Sequence, residues 1–272
     1  MKISVQPYKG SRDFYPEQFA IRKYIFDTFE KVCKRYGYEQ YDGPFIESTE
    51  IYKAKSGQEI VDEQLYSFID KGKREIAIRP EMTPTLARMI AAKNKELTRP
   101  IRWFSIPNVW RYERPQKGRL REHYQLNVDI YGVDNVMAEA EIISIVIDIL
   151  KDFGANKDMF KLKINNRKLI QELFTKLQID TDKHEKIFKI IDKKLKISDQ
   201  EFKALLQNQI QLSKDLTDTI CHYLDNPNDI FNYLGDMSNN VREVKNLLNI
   251  IKNNGYSDYV EFDPTIVRGL DY

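Results

Sequence analysis

Residues 101–132 read IRWFSIPNVWRYERPQKGRLREHYQLNVDIYG. Ile101 to Glu113 contains one predicted strand and Glu122 to Gly132 another, separated by a loop of Arg, Lys, Pro and Gly. Side chains alternate across a strand, so Leu126, Val128 and Ile130 share one face and Gln125, Asn127 and Asp129 share the other. A polar row of that kind is either solvent-exposed or lines a binding cleft. If the two strands pair as a hairpin, Arg111 lies near Gln125 with Asp129 further along, which gives a mixed-charge floor. A hairpin of this sort predicts an α+β fold with a mixed, mainly antiparallel sheet flanked by helices. No phosphate loop of the GxxxxGK[ST] kind is present, which argues against a parallel doubly wound sheet.

Outward from this pair the pattern becomes helical on the N-terminal side. From Pro16 to Tyr36, Ile21, Tyr24, Ile25, Thr28, Phe29 and Val32 recur at helical spacing, and Gly37 supplies the stop. An extended stretch through Pro44, Phe45 and Ile46 follows, at an edge or an interface because proline cannot donate to a ladder. Arg74 to Arg79 alternates as a short strand ended by Pro80. Thr83-Pro84 then predicts a helix start, with threonine as N-cap and proline in the first turn. Glu81 is thereby placed in a strand-to-helix turn. Glu139 to Phe153 forms an apolar helix ending at Gly154, and Phe160 to Ile164 alternates again. The expected organisation is a core over 1–167, a Lys-, Asn- and Leu/Ile-rich helical insertion over 168–254, and a return to the core over 255–272, where Tyr259 to Tyr272 is strand-like.

With 43 Lys and Arg against 41 Asp and Glu over 272 residues, the net charge of +2 gives no global reason to bind a polyanion. A polyanion must be met locally, and Arg111, Arg114, Lys117, Arg119 and Arg121 crowd one short segment. No apolar run approaches the roughly 18 residues of a membrane span, and Met1 to Pro7 lacks the apolar core of a signal peptide. The expectation is a cytoplasmic protein without a membrane partner. Cys33 and Cys221 have no CxxC spacing, which fits a reducing compartment and supplies no protein metal ligands.

Activating a carboxylate with ATP requires cations around the α-phosphorus and an acidic or amide floor that orients the amine. Arg111, Arg119 and Arg121 can supply the first. Glu81, Gln125 and Asp129 can supply the second, since carboxylates pair with an α-ammonium and an amide both donates and accepts. A nucleotide without a Gly-rich loop has to lie on a sheet, gripped by side chains.

These residues resemble a known family. Arg111-Tyr112-Glu113-Arg114-Pro115-Gln116-Lys117-Gly118-Arg119 resembles motif 2 of class II aminoacyl-tRNA synthetases in its histidyl form. Arg79-Pro80-Glu81-Met82-Thr83 is similar to that family's histidine-recognition turn, Arg268-Gly269-Leu270-Asp271-Tyr272 to the start of its histidine-specific RGLDYY segment, and the stretch around Pro44 to motif 1 at the dimer interface.

The resemblance implies a histidine–tRNA ligase catalytic domain, with histidine, ATP and tRNA(His) as substrates, Mg2+ (magnesium) accompanying ATP, and a homodimer in the complete protein. It implies that Arg111 meets the α-phosphate and the histidine carboxylate, and that Glu113 meets the adenine amino group. Arg119 and Arg121 would assist the phosphates and the acceptor end of tRNA. Glu81, Thr83, Gln125 and Asp129 would hold the α-ammonium and imidazole, Tyr272 would line that pocket, and Arg268 would stand beside the α-phosphate. It also implies that the chain stops before motif 3 and before an anticodon-binding domain. His123 stands where the family often has an aromatic ring against adenine, and is as readily a packing residue. His184, His222, Trp103 and Trp110 are read as structural. Two other readings share the fold: a regulatory subunit of a histidine-biosynthetic ATP phosphoribosyltransferase, and a non-catalytic sensor of histidine or tRNA. The first tends to lose the ATP- and tRNA-gripping residues that are present here, and the second would be favoured by substitutions in the Arg79-Pro80-Glu81 turn or in Arg268 to Tyr272, where none is seen.

Overall fold

The computed structural model describes residues 4–54, 56–57 and 60–267. Its described residues form two compact units, one reaching Asp134 and the other beginning at Asn135. The architecture is mixed α+β, with small sheets, mostly antiparallel, flanked by helices.

The first unit opens with α1, Pro16–Arg35, which buries Thr28, Val32 and Cys33. It ends where Gly37 adopts φ +78°, a left-handed conformation that costs a glycine nothing. β1, Glu39–Gln40, and β2, Ile46–Ser48, follow, then the short helix α2, Thr49–Lys53. β3, Tyr66–Ile69, and β4, Glu75–Ile78, pair antiparallel, and β2 joins the other side of β4. β2 is therefore an edge strand, and Pro44 lies just before it, where its missing N–H leaves no ladder position empty.

α3, Thr83–Ala92, departs from expectation at its first turn. Met82, not Thr83, precedes the helix, and the Met82 carbonyl accepts the first intrahelical bond from Leu86 N–H at 2.9 Å. Thr83 and Pro84 are then the first two helical residues, and no side chain caps the helix. Proline tolerates that position because its missing N–H would be unpaired there anyway.

The stretch quoted above folds as four strands, not two. β5, Ile101–Ser105, and β6, Asn108–Trp110, are divided at Pro107; β7, Glu122–Tyr124, and β8, Asn127–Tyr131, are divided at Gln125-Leu126. β8 pairs antiparallel with β5, and β1 pairs parallel on the other side of β5. β7 pairs with β6 as a separate hairpin, closed beyond its strands by a bridge between Gln116 and Arg119. α3 covers the first of these sheets through Leu86, Ile90 and Ile101, with Tyr41, Trp103 and Tyr131 packed around them. A fully buried aliphatic side chain such as Leu86 contributes about 1.5–3 kcal/mol.

The second unit contains α4, Met137–Asp152, and β9, Leu162–Ile164. Six helices come next: α5 Arg167–Lys176, α6 Thr181–Ile191, α7 Asp199–Ile210, α8 Lys214–Asp225, α9 Pro227–Leu234 and α10 Asn239–Asn253. Ser198 and Glu201 close a reciprocal capping box at α7, and Ser213 and Ser238 cap α8 and α10. The chain returns as β10, Val260–Phe262, parallel to β9. Among the described residues the strand-like reading from Tyr259 onward is borne out over those three, after which Asp263 turns the chain by accepting from the backbone and side chain of Thr265; residues 268–272 of that reading lie outside the described residues. The core of this unit gathers Leu169, Phe174, Ile187, Phe202, Leu206 and Ile230.

His184 is buried against the Ile179 carbonyl, and His222 pairs with Asp229 at 2.8 Å; both are structural. No described helix is long and apolar enough to cross a membrane.

Candidate active site

The turn from β4 into α3 is anchored by Arg79, only 5% exposed. Its Nε donates to the Asn108 carbonyl at 2.9 Å, and its Nη1 donates to Asp42 Oδ1 at 2.6 Å and to the Gly43 carbonyl at 2.9 Å. Its own carbonyl accepts from Trp110 N–H at 3.0 Å. A planar guanidinium can bind three acceptors in fixed directions, so this one residue ties β4, the 42–43 loop and β6 together. Two residues on, Glu81 is 6% exposed and accepts a hydrogen bond from the Ser56 hydroxyl.

Arg111 follows β6 directly. Its Nε donates to the Pro80 carbonyl at 3.0 Å, which brings this cation onto the turn that carries Glu81. The hairpin register sets Arg111 opposite Arg121, whose carbonyl accepts from Arg111 N–H at 2.8 Å; Gln125 N–H instead reaches the Pro107 carbonyl. Arg111 and Gln125 are therefore not cross-strand neighbours as the sequence suggested, because the hairpin register pairs Arg111 with Arg121 and leaves Gln125 four residues further along, opposite Pro107.

Beyond Arg111, the Glu113 carboxylate pairs with the Arg119 Nε; the glutamate side chain is 10% exposed and the arginine's 60%. Arg121 is 9% exposed. Its Nε donates to the Glu113 carbonyl at 3.1 Å and its Nη1 to the Tyr8 hydroxyl at 2.8 Å. His123, two cross-strand pairs along and opposite Val109, is half-buried. Burial, with Arg111 nearby, holds its pKa below the usual imidazole value, so the ring is neutral near pH 7.

On β8 the polar row is only partly realised. Asp129 lies opposite Trp103, and Asn127 opposite Ser105. Gln125 lies outside the strand, exposed, and donates to Asn127 Oδ1 at 2.8 Å. Burial raises the Asp129 carboxyl to a pKa of about 6. The register of β1 on β5 continues to set Tyr41 beside Ser105, with Tyr41 N–H bonded to the Phe104 carbonyl. The buried Tyr41 hydroxyl lies against that of Ser105, and the buried Tyr52 hydroxyl against that of Thr85. Burial pushes the Tyr41 phenol well above its ordinary range, with Ser105, Asp129, Tyr131 and Asp42 as its polar neighbours.

Thr83 is exposed in the first turn of α3. Arg268 and Tyr272 lie outside the described residues. Sequence reasoning missed Ser56, Tyr8, Tyr41 and Ser105. The first two gain meaning only through partners far along the chain; the last two show in the strand register, which the sequence pattern alone left undivided.

A family model described as histidyl-tRNA synthetase matches residues 10–272. The chain belongs to the histidyl-tRNA synthetase family. A histidine–tRNA ligase from Leptospira biflexa is 49% identical over 273 residues, covering 100% of this chain and 62% of that protein. A chloroplastic/mitochondrial histidine–tRNA ligase from Arabidopsis thaliana is 40% identical, over 100% of this chain and 56% of its own length. The chain thus spans about three-fifths of these relatives. The solved histidyl-tRNA synthetase of Nostoc sp. PCC 7120 shares the fold, with a TM-score of 0.85 at 24% identity over 100% of this chain and 63% of that structure. A Bacillus halodurans structure titled as an ATP phosphoribosyltransferase regulatory subunit/histidyl-tRNA synthetase also shares it, with a TM-score of 0.84 at 23% identity over 100% of this chain and 71% of that one.

Proposed function

We propose that this chain carries the histidine-activating site of a histidine–tRNA ligase, forming histidyl-adenylate from histidine and ATP for transfer to tRNA(His). The observation that supports it most directly is the Arg111 Nε bond to the Pro80 carbonyl, which docks a cation onto the turn bearing the buried Glu81. Cation and carboxylate on one turn are what a substrate with an α-carboxylate and an α-ammonium requires. In this reading a histidine carboxylate oxygen attacks the α-phosphorus, an O–P bond forms, the bond to the β-phosphate oxygen breaks, and pyrophosphate leaves. Arg111, with Arg268, stabilises charge on the α-phosphate. Glu113 meets adenine and Arg119 the outer phosphates, so ATP has to separate their mutual ion pair. Glu81, Thr83, Gln125 and Asp129 hold the α-ammonium and the imidazole, with Asp129 and Gln125 offered to the ring nitrogens, and Tyr272 lines the same pocket.

Magnesium would enter as the companion of ATP's phosphates, neutralising part of their charge. The regulatory-subunit reading is less well supported, since Arg111, Glu113 and Arg119 are all retained. The 168–254 segment is proposed as a helical insertion within a core of 1–167 and 255–272, supported by the pairing of β9 with β10 on either side of α5 to α10. A homodimer is supported by the exposed Phe19, Ile21 and Tyr24 on α1, with Phe45 just before β2 and Ile46 at its start; light scattering on the chain at its full natural length tests it. The proposed setting is the cytoplasm, in keeping with the unpaired Cys33 and Cys221.

ATP–pyrophosphate exchange at varied histidine and ATP tests the assignment. Glu81→Ala and Gln125→Ala should mainly raise the KM for histidine, while Arg111→Ala should lower kcat by about 10²–10³-fold, because it removes stabilisation needed most in the transition state. Near-wild-type kinetics for both Glu81→Ala and Arg111→Ala would overturn it.

A further inference from the structure

Arg121 is surrounded on every side that the described residues define. Its guanidinium carbon stacks 3.9 Å from the centroid of the Tyr112 ring and lies 5.6 Å from that of Tyr8. Tyr66 completes the box, edge-on to Tyr112 with ring centroids 5.2 Å apart. Two of its N–H groups go to the Tyr8 hydroxyl and the Glu113 carbonyl. Its backbone is held as well: Arg121 N–H and Glu122 N–H both donate to the Gly10 carbonyl, at 2.8 and 3.1 Å. Gly10 has φ +89°, and a Cβ there would stand 2.7 Å from Arg121 Cγ, so the N-terminal segment lies directly against the arginine stem. To reach a phosphate this side chain would have to give up two charge-assisted hydrogen bonds and its stacking together. Arg119, two residues away and mostly exposed, has no such enclosure.

We propose that Arg121 is a positioning residue and not a phosphate ligand: a clasp that fastens the segment Tyr8–Ser11 to the base of the nucleotide hairpin and fixes the backbone from which Glu113 projects. The proposal rests on the reading of Glu113 as the residue that meets adenine. It makes the N-terminal segment part of the ATP site without any contact to ATP. Because the clasp acts through Glu113, its loss weakens recognition of the base and leaves the phosphate contribution unchanged.

The test compares ATP with adenosine, which lacks phosphates, by isothermal titration calorimetry on the chain at its full natural length. Tyr8→Phe and Arg121→Lys should each weaken both ligands by the same factor, about threefold to tenfold for the loss of a hydrogen bond. Lysine keeps the charge but cannot bridge two acceptors in a plane. The double variant should bind no more weakly than the weaker single variant, since both break one clasp. The proposal is overturned if Arg121→Lys weakens ATP and spares adenosine, as a phosphate ligand would. It is equally overturned if the two changes are independent and additive, or if both variants bind like wild type while only their melting temperatures fall. Failure of the wild-type protein to bind either ligand would overturn the nucleotide-site reading itself, and the clasp with it.

Discussion

Replacing Asp129 by asparagine should make the unliganded protein more stable while removing its selection of histidine. Burial alone raises this carboxyl from 3.8 to about 6. Between those two values the folded chain binds more protons than the unfolded chain, so stability falls as pH rises through that window. The cost is absent well below pH 3.8 and complete above about pH 6.5, where it reaches about 3 kcal/mol at 1.36 kcal/mol per pH unit. At pH 5 roughly half of it is present. An asparagine of the same shape carries no charge to desolvate, so urea unfolding of Asp129→Asn should show a gain of about 2–3 kcal/mol at pH 7.5 and about 1–1.5 kcal/mol at pH 5. In pyrophosphate exchange the same variant should lose about 10²-fold or more in kcat/KM for histidine, because an amide cannot pair with the imidazole as a carboxylate does. A gain that is absent, or that does not change with pH, would refute the desolvation argument.

Two further changes probe how the turn at Glu81 is built. Arg79→Met should destabilise the protein by about 3 kcal/mol or more, seen in urea unfolding, since it removes three hydrogen bonds from one buried guanidinium and leaves the Asn108 and Gly43 carbonyls unpaired. Gly43→Ala should cost about 1–3 kcal/mol through overpacking, because its Cβ would lie 2.5 Å from Thr85 Cγ2 and 3.1 Å from Met82 Cε; thermal melts with a parallel measurement of histidine KM should show both worsening.

The parts of the fold written in local periodicity were legible in the sequence. The span of α1, the stop at Gly37, the turn at Glu81 and the helical character of the chain after β9 each follow from spacing and punctuation within a few residues. What local pattern could not convey is where a strand changes partners. Leu126, Val128 and Ile130 alternate cleanly, yet the chain leaves one sheet at Tyr124 and enters another at Asn127, so Gln125 falls outside the row it seemed to lead. Thr83 shows the same limit at a helix end, since two residues in good order for a cap were displaced by one position once Met82 supplied the first carbonyl. For the candidate site, the residue types were readable, but their availability was not. Arg119 and Arg121 look alike in sequence, and only the approach of Tyr8 and Gly10 from 111 or more positions away separates an exposed cation from an enclosed one.

The parallel pairing of β9 with β10 bears on the order in which the protein is made. Leu162 leaves the ribosome 98 residues before Val260, its partner. At typical synthesis rates that is a wait of about 5–20 s. Helices form in about a microsecond, so α5 to α10 have ample time to collapse around Phe174 and Leu206 before the last strand emerges. Their packing shortens the effective span that must be closed, and β10 then arrives at a gap whose far wall is already standing. A chain held on the ribosome after α10 has emerged but before β10 has would therefore carry a folded helical cluster beside an unpaired β9.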